Sequence, residues 1–189
     1  MKKLIAPLVL VMVIAVSSGC KKIITNAFNG FDQDVPQIVL TIPATQPPIP
    51  GFPVPPNEVP VGSFKQSFNL DSTIKAKTGG AFGVGDVSSV KLKKMVFTLS
   101  NADAANNLAN FESARLTFSS NTNATAVPLA SFSFPDTYAD SQIFTADANT
   151  PELIGYLNGS ELTYNVFGKL RRYTTNPLGL AVVVTLTVK

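Results

Sequence analysis

The chain has no histidine and no tryptophan among its 189 residues, and a single cysteine, Cys20. Without histidine, a Ser-His-Asp triad and the common histidine zinc sites are excluded. One cysteine forbids an internal disulfide. Charge is sparse at 14% of residues and nearly balanced: setting aside Lys2 and Lys3 leaves 13 basic against 12 acidic residues. That balance lacks the basic excess of a nucleic-acid binder. What is present is apolar. Hydrophobic residues make up 45% of the chain, enough for one domain with a sizeable core.

The apolar content starts at the amino terminus. Lys2 and Lys3 are followed by the run Leu4 to Val16, then by Ser17, Ser18 and Gly19 directly before Cys20. This run is too short for a membrane-spanning helix, which needs about 20 apolar residues. Pro7 interrupts it and Lys21-Lys22 follow at once. The stretch resembles the lipobox signal peptide of bacterial lipoproteins. Ser17 stands where an aliphatic residue is commoner, with Val16 one step further out. The resemblance implies a diacylglyceryl group on the Cys20 thiol, removal of residues 1–19 and acylation of the new amino terminus. An ordinary secretory signal is the alternative, and it leaves Cys20 as a lone thiol. Two or three acyl chains make an anchor effectively permanent, whereas one alone is reversible.

Residues 20–60 read as the lipidated terminus and a tether. Eight of the fourteen prolines fall between Pro43 and Pro60, and proline neither donates to a ladder nor sits inside a helix. The expectation is a polyproline-II stand-off, with a short strand possible at 37–42. Asp32 and Asp34 read as solvated tether charge, since they lack the glycine and distal glutamate of a calcium loop.

Residues 61–189 read as the domain. Phe64 to Ala76 alternates apolar and polar, as in a half-buried strand or bent pair. The glycines at 79–85 have the wrong order for a phosphate loop, so a plain loop is expected. Val90 to Leu99 is a strand whose inward phase slips near Lys93-Lys94, the sign of a bulge. Asn101 to Asn110 reads as a loop. Further strands follow around Leu116, Phe132, Phe144 and Val166, and the cleanest is Leu180 to Val188. The predicted helix is Thr150 to Leu157, with Thr150 as N-cap, Pro151 at the first position and Glu152 in the first turn. The pattern predicts an all-β, antiparallel β-sandwich with one short connecting helix. The runs VSSVKLKKMVFTLS, NLANFESARLTFSS, TPELIGYLNGSELTYNVFGKL and AVVVTLTVK resemble small, mostly uncharacterised bacterial β-sandwich lipoproteins. No catalytic residue comes with that resemblance.

Candidate chemistry is thin. Asp136, Asp140 and Asp147 offer carboxylates for glycoside hydrolysis but fit surface loops equally. Lys169, Arg171, Arg172 and Tyr173, joined by Lys91, Lys93 and Lys94, form a candidate anion-binding patch for lipid or glycan phosphate. The same cations also suit a solvated edge that resists aggregation. No metal or cofactor is expected. The expected function is a lipid-anchored, non-enzymatic structural or interaction module of the bacterial envelope, with an unidentified protein, glycan or lipid partner. The alternative is a carrier holding an apolar ligand between its sheets. Lys21, in place of a retention aspartate after Cys20, resembles an outer-membrane sorting signal, and the lack of acidic residues in Lys21-Lys22-Ile23-Ile24 suits the periplasmic face.

Overall fold

The computed structural model describes residues 28, 30–45, 47, 49–147 and 149–189; the leader, Cys20 and Lys21–Ala27 lie outside them. Nine strands form two antiparallel sheets: β1 (Phe31–Asp34), β2 (Ile38–Ile42), β3 (Val59–Ser67), β4 (Val90–Ser100), β5 (Phe111–Ser120), β6 (Val127–Ser133), β7 (Ser141–Thr145), β8 (Glu161–Leu170) and β9 (Leu178–Val188). The first sheet runs β1-β9-β4-β7, with β2 also on β9, and the second runs β3-β8-β5-β6. The chain is therefore an all-β sandwich. Leu180, Val182, Val184, Leu186 and Val188 of β9 and Leu92, Met95, Phe97 and Leu99 of β4 are buried between the sheets. Facing them, Leu116, Phe118, Leu162, Tyr164 and Val166 come from β5 and β8. Each such side chain contributes about 1.5–3 kcal/mol on burial.

β9 has neighbours on both edges, β4 on one and β1 and β2 on the other. The bulge appears where the phase slip places it, as a register shift between Leu92 and Lys94 against β9. That shift lets Lys93 and Lys94 both face solvent while Met95 returns to the core.

Three expectations are corrected. The sandwich does not begin at residue 61: β1 pairs with the carboxyl-terminal half of β9 and β2 with its amino-terminal half. Val35, Ile38 and Ile42 are buried, so this segment belongs to the core. The possible strand at 37–42 is β2. Asp32 and Asp34 are strand residues whose carboxylates accept from Thr187 and Thr185 on β9. Consequently the proline-rich stretch is not a stand-off. It carries the chain from β2 in one sheet to β3 in the other, held by Thr45 against Thr174 and by Pro53 against the Tyr173 hydroxyl.

The alternating run from Phe64 ends as a strand at Ser67, and α1 (Leu70–Lys77) follows. Leu70 and Ile74 satisfy both periods, because a spacing of four is two strand repeats and about one helical turn. The cap decides between them. The Asn69 side chain accepts from the Ser72 amide, Asp71 lies in the first turn, and Lys75 and Lys77 lie in the last. Leu70 and Ile74 are fully buried beneath the helix.

The predicted helix at Thr150–Leu157 is only a 3-10 turn, Ile154–Tyr156. Glu152, expected in the first turn of that helix, serves instead as a bridge. Its Oε1 accepts from the Val90, Leu153 and Ile154 amides and its Oε2 from the Ser89 hydroxyl. Those contacts tie the loop to the start of β4 at the expense of a second helical turn.

Candidate functional site

The seven patch residues occupy opposite ends of the sandwich. Arg171 follows β8 and donates to the carbonyls of Ala109 at 2.8 Å, Phe111 at 3.0 Å and Phe134 at 2.9 Å. Arg172 reaches the Ala109 carbonyl at 3.0 Å and Asp136 Oδ1 at 2.5 Å. Lys169 pairs with Glu112 at 2.8 Å, and the Tyr173 hydroxyl donates to the Pro53 carbonyl at 2.8 Å. A guanidinium has five donors in a fixed fork and no acceptor, so one Arg171 serves three carbonyls at strand ends. This half of the patch fastens loops together.

Beside these residues is a polar network that composition hides. Asn106, Asn107 and Asn110 are buried within the predicted loop. The Asn106 amide donates to both Asp103 oxygens, and its carbonyl accepts from the Thr175 and Asn176 amides and the Thr175 hydroxyl. Asn110 donates to the Ala105 and Tyr173 carbonyls. The β4–β5 and β8–β9 loops are thereby locked side by side. Hydrogen bonds from Asn106 and from the Ala105 amide hold the Asp103 carboxyl below its ordinary range.

Lys91 and Lys93 lie at the other end, on the solvent face of the first sheet. Lys91 is paired in register with Thr187 of β9, and Asp32 of β1 is paired with the same residue from the far side. Lys93 reaches across to form an ion pair with Asp32. That pair and the Thr187 hydroxyl keep the Asp32 carboxyl below its usual value. An open groove of about 490 Å³ lies here, lined by Ser89, Lys91, Lys93, Thr145, Asp147 and Lys189 among others. The Asp147 carboxylate accepts from the Asn149 amide at 2.8 Å. Lys94, also proposed for the patch, faces solvent in the row of Thr145 and Thr185.

Between the sheets an apolar void of about 30 Å³ is lined by Ile42, Phe97, Leu99, Phe111, Phe134 and Leu180 among others. A cavity of about 150 Å³ is the size that admits benzene. Among the described residues no group of three histidine, cysteine or carboxylate side chains is placed to hold a metal. Among them, too, no helix is long and apolar enough to cross a membrane.

No family model and no curated protein matches this sequence. Among solved structures, the chain is similar to the decameric BFDV capsid protein, at 10% identity and a TM-score of 0.32, over 85% of this chain and 100% of that one. It is also similar to a chain of the Kashmir bee virus empty particle at acidic pH, at 10% identity and a TM-score of 0.26, over 71% and 92%. Both likenesses are remote.

Proposed function

We propose that the protein is a lipid-anchored, non-enzymatic module of the bacterial cell envelope, held through Cys20 in the outer membrane with its sandwich on the periplasmic side. The observation that carries this reading is the single cysteine at position 20, set behind a basic and apolar leader and eight residues ahead of docked chain. Phe28 packs against Phe82 at 5.2 Å and against Phe31 at 6.0 Å, so the folded body starts almost at the anchor. Lys93, Lys169, Arg171 and Arg172, four of the charged residues that suggested chemistry, are engaged in cross-links between loops and strands, which suits an interaction module. The apolar void lined by Ile42, Phe97 and Leu180, at about 30 Å³, is too small for the apolar ligand of the carrier alternative. Metabolic labelling with a fatty-acid analogue tests the anchor. The wild type should incorporate label and Cys20→Ser should not; equal labelling of both contradicts the reading.

A further inference from the structure

The lysine groove sits at the corner of the sandwich from which the chain leaves toward Cys20. Phe31, Val188 and Val90 form one row across β1, β9 and β4, and Asp32, Thr187 and Lys91 form the next. Neighbouring strands are about 4.8 Å apart, so Lys91 lies roughly 10 Å from β1 across that row. Seven residues, 21–27, separate Cys20 from the docked Phe28. Fully extended, they span at most about 25 Å. The opposite end, with Arg171 and the proline-rich crossover, lies the length of β9 away, about 35 Å at 3.3 Å per residue. An anchored Cys20 therefore brings this end of the sandwich, with the Lys91 corner and the Phe82 loop on which Phe28 packs, within reach of the bilayer before the Arg171 end.

The charge at this corner matches what it would meet. Lys91 and Lys189 line the groove and neither has an ion-pair partner among the described residues. Of the hydroxyls on the same walls, those of Ser89, Thr150 and Thr187 already donate to Glu152, the Asp147 carbonyl and Asp32, so the lysines carry the attraction for an anion. Of the nearby carboxylates, Asp32 is neutralised by Lys93, and both Glu152 oxygens accept protein hydrogen bonds. Asp147 also lines the groove and is the opposing charge there, against the lysines Lys91, Lys93 and Lys189. Lys21 and Lys22 add two cations next to the anchor itself.

We propose that this groove docks the domain onto the anionic phosphodiester headgroups of the leaflet that holds the Cys20 lipid, with Lys91 and Lys189 as the contact cations. The inference rests on the lipid-anchor reading, because the short connection is what selects this end. Docking would orient the domain, with the Arg171 end and the exposed Phe52 and Ile49 of the crossover pointing away from the membrane.

The test uses the mature chain from position 20 with Cys20→Ser, so that its readout does not require acylation. Co-sedimentation with vesicles of phosphatidylcholine alone is compared with vesicles containing phosphatidylglycerol. The expected result is binding only where phosphatidylglycerol is present, weakened by salt and lowered about fivefold by each of Lys91→Ala and Lys189→Ala. Lys65→Ala and Lys169→Ala, which remove the same charge elsewhere, should leave binding within about twofold. Circular dichroism should show all four variants folded. Equal losses from all four, equal binding to both vesicles, or no binding to either overturns the proposal. Failure of fatty-acid labelling with normal vesicle binding would refute the anchor and leave the groove standing.

Discussion

Glu152 shows how a single side chain can replace an element. Its desolvation favours the neutral acid, but the Ser89 hydroxyl and the Val90, Ile154 and Leu153 amides outweigh that, and the carboxyl titrates below its ordinary value of 4.5. A carboxyl depressed by folding stabilises fully above its unfolded pKa and loses that contribution as pH falls through the folded value. Glu152→Gln should therefore lower stability at neutral pH by about 0.5–1 kcal/mol, a modest figure because the group is largely exposed. The gap between variant and wild type should close on acidification below 4.5. Paired urea melts across that range check this; a gap that stays constant to low pH contradicts it. Asp32, Asp71 and Asp103 are depressed in the same direction, so acid should loosen several of these cross-links together.

The buried asparagines mark a limit of reading residues singly. Asn106, Asn107 and Asn110 were legible as a loop because asparagine competes with helix for its own backbone. Their burial was not legible, since it depends on a second loop, at Thr174–Asn176, arriving from 69 residues further on. The contacts of Arg171 and Arg172 were hidden for the same reason: the carbonyls they satisfy lie at the start of β5 and just after the end of β6.

At the scale of the element, β5, β8 and β9 were the most legible strands, because each carries a period of two against a core of matching phase. The bulge was legible because a phase slip has no other economical explanation in a buried strand. The errors lie where two periods coincide or where one strong signal masks another. Leu70 and Ile74 fit strand and helix alike, and only the Asn69 cap distinguishes them. The prolines from 43 to 60 drew the whole preceding segment into a tether, although Ile38, Leu40 and Ile42 already alternate.

That correction has a measurable consequence. A chain starting at Val61 would lack β1 and β2, exposing one side of β9 and removing Val35, Ile38 and Ile42 from the core. At about 2 kcal/mol per buried aliphatic side chain, the loss approaches the whole net stability of a small domain, about 5–15 kcal/mol. A chain starting at Phe28 should melt cooperatively by circular dichroism, and one starting at Val61 should not. Equal cooperativity of the two would show that β1 and β2 are dispensable. Gly30 reinforces the point: its φ is +70°, and a Cβ there would overlap the Val188 carbonyl. The chain thus enters β1 through a turn that suits glycine.

For the whole molecule, the sandwich explains how a chain with a single cysteine holds itself together without an internal disulfide. Two sheets close over one core, α1 covers it near the β1 edge, and polar cross-links fasten the loops at each end. The Lys77 ammonium lies 4.6 Å from the centre of the Phe31 ring and donates to the Asp32 carbonyl, joining α1 to β1. The proposed anchor then meets the body at a corner instead of through a long spacer, and orientation at the membrane becomes a property of the fold. Native mass spectrometry of the full protein extracted from membranes tests the central claim most directly. The account predicts a chain beginning at Cys20 whose lipid mass persists after denaturation, with no further lipid released when the sandwich unfolds. An unmodified Cys20 thiol, or lipid that departs on denaturation, would contradict it.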